Sequence, residues 1–186
     1  MKPAAFRKLS TSVAHRNPWF TVRVDEVERP GGLRGPFYWI EMKPGATVLP
    51  MTAGGDVYLI REYKYPLDSI SLEAVSGGVE PDESPRACAE RELREEAGFE
   101  AAEWADLGRI DPLTTSMRGP NYLFVATGLR PIGQALEEGE QVEVVRLPFA
   151  DALERVLDGA IVHGTTCALI LKASELLRRG GLFPAR

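Results

Sequence analysis

The sequence predicts an α/β (α+β) domain: a mixed β-sheet with helices packed on it, preceded by an N-terminal antiparallel β-hairpin subdomain. Three observations carry that expectation. Strand-like runs and helical patterns interleave along most of the chain. Two strongly β-prone runs, joined by Pro30-Gly31-Gly32, come before any helix. The 186 residues are 44% hydrophobic and 26% charged, which allows one domain a real core and leaves room for a small subdomain.

Residues 1–18 are polar and mixed, and read as irregular. "WFTVRVDEVERPGGLRGPFYWIEM" then reads as two strands and a loop, with Phe20, Val22, Val24 and Val27 roughly alternating. A boundary after this pair divides an N-terminal extension with its hairpin, 1–43, from the main domain, 44–186. Strands follow at "ATVLPMTA" and "DVYLIREYKYP", with Gly54-Gly55 as the turn, and "SISLEAVSGG" is a short strand ending in glycines. The clearest helix comes next. Ser84 caps it, Pro85 fits its first turn and Gly98 sits where it stops. "WADLGRI", "NYLFVAT" and "VEVVRLP" are strands, and "FADALERVLDG" and "TCALILKASELLRR" are helices.

Charge and cysteine usage narrow the function. Lys plus Arg number 22 against 27 Asp plus Glu, a formal net charge of -5, which argues against a general nucleic-acid binder. A small polyanion held through a metal is compatible with that balance. Cys88 and Cys167 lie far apart with no CxxC, so neither a disulfide nor a zinc framework is expected. The start lacks the apolar run of a signal peptide, and no segment approaches the ~18 apolar residues of a membrane span. A cytoplasmic protein with no membrane partner is the expectation.

The clearest helix carries an unusual charge load. Each residue advances roughly 100°, so Glu92, Glu95 and Glu96 fall within an arc of about 100°. Ala89, Leu93 and Ala97 make the neighbouring stripe, suited to packing on a sheet, and Arg91 stands one turn before Glu95. A solvated acidic face is one reading. Against it, the acids crowd the C-terminal end, where the helix dipole disfavours negative charge. A further acid, Glu83, precedes the cap. Hard oxygen donors in such a cluster suit Mg²⁺ or Mn²⁺, not zinc.

Gly77, Glu83 and "RELREEAGF" (Arg91 to Phe99), with five and seven residues between them, resemble the Nudix box of the Nudix hydrolases at every defined position. The resemblance implies an αβα sandwich and cleavage of a nucleoside diphosphate linked to another group. It implies Glu92 and Glu96 as main metal ligands, Glu95 as a further ligand or catalytic acid, and the Ser76 carbonyl as a backbone ligand. Arg91 then orients a carboxylate and Glu83 is an accessory acid.

Beyond the box, "IREYKYPLDSISLEAVSGGVEPDESP" and "EEGEQVEVVRLPFADALERVLDGAI" are similar to the ADP-ribose pyrophosphatase branch. That branch implies a homodimer in which residues 19–43 cross to the partner. Arg61, Glu73 and Arg118 are substrate-binding candidates, although Arg61, with Tyr63 and Tyr65, also fits an ordinary edge strand. The acid usual in the loop after the box is missing from "IDPLTTSMRGPNY", which leaves GDP-mannose or another nucleoside-diphosphate sugar as a rival substrate. A catalytic base is expected from "LEEGEQVEV", with Glu140 first, Glu138 next and Glu137 more distant. A non-catalytic ligand sensor is the rival from another class, and the complete set of box acids speaks against it. His15 and His163 receive no role, and Cys88 is a small core or supporting thiol.

Overall fold

The computed structural model describes residues 5–136 and 138–182. In chain order the elements are β1 (Arg7–Arg16), β2 (Phe20–Glu28), β3 (Arg34–Met42), β4 (Gly45–Pro50), β5 (Asp56–Lys64), β6 (Ser69–Glu73) and β7 (Val75–Gly78). Then come α1 (Pro85–Glu95), β8 (Phe99–Ile110), β9 (Met117–Arg118), β10 (Asn121–Pro131), β11 (Glu143–Pro148), α2 (Phe149–Leu157) and α3 (Gly164–Arg178). The chain forms two compact units, one comprising the residues up to Lys43 together with Asp111–Pro120, the other Pro44–Ile110 and Asn121–Arg186.

The first unit is a sheet of order β1-β2-β3-β9. The expected hairpin is β2 paired antiparallel to β3, from Phe20 opposite Met42 to Glu28 opposite Arg34. The segment read as irregular forms β1, antiparallel to β2 from Arg7 opposite Glu28 to Arg16 opposite Thr21. Polarity concealed it. All ten residues of β1 are exposed, so neither face needs the apolar alternation that marks a strand in sequence. Its pairing is held by the backbone ladder and by exposed ion pairs such as Arg7 with Glu28. Asp111–Pro120, distant in sequence, joins this unit through β9, which pairs parallel to β3.

The second unit has two sheets, of order β7-β4-β10-β8 and β11-β5-β6. The run "SISLEAVSGG" is two strands, not one, and they belong to different sheets: β6 pairs with β5 and β7 with β4. Alternation along the strands sorts side chains into two apolar layers. Ala46, Val48 and Ile60 pack with Cys88, Ala89 and Leu93 of α1 on one face. Leu49, Val57 and Leu59 pack with Ala152 of α2 and Leu169, Ile170 and Ala173 of α3 on the other. Helix, sheet and helix therefore stack in the αβα order. Among the described residues no helix is long and apolar enough to cross a membrane.

Candidate active site

Helix α1 sits where its sequence directs it. Ser84 Oγ accepts from Ala87 N–H at 3.1 Å and Pro85 opens the first turn. Buried Ala89 and Leu93 dock one stripe on the sheet, which turns the stripe of Arg91, Glu92 and Glu95 toward the glycines that end β7. A Cβ at Gly77 would run into the Glu92 carboxylate where it stands, so a side chain there would force that acid to move.

Arg91 gathers the acids. Its Nε donates to Glu83 Oε1 at 3.0 Å and its Nη2 to Glu83 Oε2 at 3.2 Å. Its Nη1 donates to Glu92 Oε1 at 2.7 Å and to Glu95 Oε2 at 2.9 Å. Nη2 also donates to the Gly78 carbonyl at 3.1 Å, tying the helix to the end of β7. Glu96 is differently placed: buried, it accepts from the Ser76 N–H at 3.1 Å.

Electrostatics follow from these contacts. Burial pushes the Glu96 carboxyl up to about 8, with the Glu92 charge adding to the rise. Burial raises Glu92 as well, opposed by Arg91, with the charges of Glu95 and Glu140 adding to the rise. The Arg91 hydrogen bonds hold Glu83 below the usual carboxylate range. Burial pushes the Cys88 thiol up to about 12, which keeps it protonated and unsuited to bind metal or attack.

The donor set fits a hard divalent cation: oxygen atoms from Glu92, Glu95, Glu96 and the Ser76 carbonyl, with no thiolate or imidazole among them. Two carboxylates, Glu96 buried and Glu92 half-buried, each raised first by burial and then by neighbouring acids, gain most from such a charge. Among the described residues no three acidic, thiol or imidazole groups converge as a ready-made metal centre. Glu92 and Glu95 are turned to Arg91 instead, so holding a cation requires their carboxylates to swing from it.

A loop closes over the end of α1. The Gly98 carbonyl accepts from Ile132 N at 2.8 Å and Gly133 N at 3.2 Å, and Ala135 N donates to the Glu95 carbonyl at 3.0 Å. Gly98 has φ 71°, and a Cβ there would press on the Gly133 backbone at 2.7 Å. Gln134, which sequence reasoning passed over, donates through Nε2 to the Glu96 carbonyl at 2.6 Å and to the Val142 carbonyl at 3.2 Å. Both ends of the segment carrying Glu138 and Glu140 are thus pinned near the acids, and Glu140 lies close enough to act on Glu92. Glu137 lies outside the described residues.

The other assigned residues are more dispersed. Arg61 is exposed on β5 and donates to Glu143 Oε2 of β11 at 3.1 Å. Glu73 is buried, with His163 Nδ1 at 3.2 Å and Lys64 Nζ at 3.7 Å. Burial lowers His163, against the pull of Glu73. Arg118 belongs to the first unit, where it lines a cavity of about 330 Å³ with Asp25, Phe37 and Trp39.

Residues 42–164 match the family model described as NUDIX domain, and residues 6–40 match the nucleoside diphosphate sugar hydrolase N-terminal domain. The chain is 28% identical over 169 residues to the ADP-ribose pyrophosphatase of Mycobacterium tuberculosis (strain ATCC 25618 / H37Rv), covering 89% of this chain and 82% of that protein. It is 32% identical over 158 residues to the GDP-mannose pyrophosphatase of Yersinia pestis (strain Pestoides F), covering 76% of each. A solved structure described as an ADP compounds hydrolase superposes with a TM-score of 0.82 at 25% identity, over 96% of this chain and 97% of that one.

Proposed function

The chain belongs to the Nudix family, and we propose that within it this protein hydrolyses the pyrophosphate bond of ADP-ribose or a related nucleoside-diphosphate sugar. The products are a nucleoside monophosphate and a sugar phosphate. The observation that supports this reading best is the set of contacts around Arg91, which holds Glu83, Glu92 and Glu95 beside the glycines that end β7. Such a cluster of acids serves no packing purpose and suits a polyanion bound through Mg²⁺ or Mn²⁺.

Glu92, Glu95, Glu96 and the Ser76 carbonyl are the residues we assign to the metal. When bound, it neutralises phosphoryl oxygens and makes water a better nucleophile. The remaining work falls to the chain. Arg91 fixes the acids in register. Glu140, or Glu138 beside it, takes the proton from the attacking water at a carboxylate oxygen as the water's oxygen bonds to phosphorus. The bridging oxygen of the pyrophosphate then leaves with one of the two products. The contacts of Gln134 hold the segment that carries these acids beside the end of α1.

GDP-mannose remains a second substrate reading, favoured by the 32% identity to enzymes of that name and by the missing loop acid after the box. A hydrolysis panel of ADP-ribose, GDP-mannose, NADH, diadenosine polyphosphates and nucleoside triphosphates tests both. Turnover of a nucleoside-diphosphate sugar above the others is expected, absent in chelator and restored by millimolar Mg²⁺ or Mn²⁺ but little by Zn²⁺. Full activity after exhaustive chelation, or no turnover of any sugar nucleotide, refutes the proposal.

A further inference from the structure

We propose that the groove between β5 and the loop ahead of β11 seats the sugar half of the substrate, and that Arg61 and Gln141 select which sugar it takes. The inference rests on the pyrophosphohydrolase reading above and deepens it. The groove encloses about 410 Å³, a volume within the range of about 300–1,000 Å³ usual for small-molecule sites.

Its position joins it to the acids. Val142 lines the groove, and the Gln134 side chain that donates to its carbonyl at 3.2 Å also donates to the Glu96 carbonyl at 2.6 Å. The opposite side is formed by Leu136 and Gln141, which bracket the segment bearing Glu138 and Glu140. A pyrophosphate held at the acids therefore has this groove beside it for the attached group.

Its chemistry selects a neutral polyol. One wall is apolar: Tyr63 and Ile70 are direct partners across β5 and β6, 48% and 59% exposed. The rim is polar but carries little net positive charge. Arg61 is compensated by Glu143 at 3.1 Å, and the neighbouring Lys64, outside the groove, pairs with Glu62 Oε2 at 2.5 Å. Carboxylates on the rim repel a further phosphate, which disfavours a second nucleotide as the attached group. They accept hydrogen bonds from hydroxyls, while the guanidinium and the Gln141 amide donate. An apolar wall with donors and acceptors at its edge complements a sugar ring, which has C–H faces and a rim of hydroxyls. Sites that hydrogen-bond a substrate hydroxyl reject analogues that lack or misplace it.

The test compares sugars on one nucleoside. Wild type, Arg61→Ala and Gln141→Ala are assayed with ADP-ribose, ADP-glucose and ADP-mannose and with the matching GDP series. Calorimetry follows binding of ribose 5-phosphate, glucose 1-phosphate, mannose 1-phosphate and inorganic phosphate. Arg61 and Gln141 are exposed, and an exposed ion pair contributes little to stability, so both variants are expected to fold. Each variant should change the preference among sugars by roughly tenfold or more, and weaken binding of the preferred sugar phosphate by a similar factor. Inorganic phosphate binding and the rise in Tm with Mg²⁺ should match wild type. A uniform loss across all sugars, or an unchanged preference, overturns the assignment. If wild type cleaves no sugar nucleotide, the pyrophosphohydrolase reading fails by itself. Sugar-phosphate binding then decides the groove: weakened in Gln141→Ala it stands, unchanged it falls.

Discussion

Arg91 Nη1 donates at once to Glu92 Oε1 at 2.7 Å and Glu95 Oε2 at 2.9 Å, so one guanidinium nitrogen bridges two carboxylates that we assign to a cation. The same side chain forks onto both oxygens of Glu83. Arg91 is therefore the counter-charge of the metal-free site, and on metal binding it must yield part of that role while keeping Glu83. Lysine has neither the fork nor the planarity for this.

Arg91→Lys is expected to retain the fold but lose activity by about 10²-fold or more, because the acids lose their register while the charge remains. Arg91→Ala leaves three neighbouring acids without their donor and should lower metal-free stability by about 1–3 kcal/mol. Mg²⁺ should recover more of that loss than it adds to wild type. Melting curves with chelator and with Mg²⁺ check this, and a Mg²⁺ increment equal to that of wild type would contradict it.

Glu96 ties stability to pH in the metal-free protein. Its carboxyl titrates near the ordinary 4.5 when unfolded and at about 8 when folded. Between those values the folded state holds a proton that the unfolded chain has released. The folded state is thus favoured less and less as pH rises through that window, with the full loss above about 8. In chelator, Tm should fall between pH 5 and pH 8.5 through this group. Glu96→Gln should flatten that decline, leave stability equal or slightly higher, and cut activity by orders of magnitude. A variant that is less stable yet fully active would make Glu96 purely structural.

Glu140→Gln should lower kcat by about 10²–10⁴-fold, the usual contribution of a positioned base. KM and the Mg²⁺-dependent rise in Tm should stay near wild type. If Glu138→Gln is inactive while Glu140→Gln is not, the base is Glu138; two active variants would reduce the loop to a cover.

The first unit carries a prediction about assembly. Tyr38 is 62% exposed and Trp19 70% exposed, side chains that gain free energy when covered. Residues 19–43 are expected to pack on a second copy of the chain, giving a homodimer. Tyr38→Glu should shift light scattering toward the monomer at micromolar concentration and lower activity with it. A wild-type monomer of full activity would end the idea.

The acids of α1 were legible because their logic is local. A 3.6-residue period, a cap at Ser84 and a glycine at Gly98 place Glu92, Glu95 and Glu96 on one face without any knowledge of the sheet. Strands β4 and β10 were legible for a related reason, since burial on two faces demands apolar runs. Local periodicity had nothing to say about β1, whose side chains are all exposed, or about Ala74, where the chain passes from one sheet to another.

What the sequence by itself determined is the identity and spacing of the acids, and hence the family and its chemistry. Tertiary structure alone decided which groups meet across long separations. Gln134 reaches the Glu96 carbonyl across 38 residues, and Glu73 is buried against His163 rather than left on a strand surface. Asp111–Pro120 joins a sheet begun before residue 43. These contacts leave no period in the sequence, because each is fixed by the packing of whole elements, and a hydrogen bond between distant positions needs only one suitable side chain at each end.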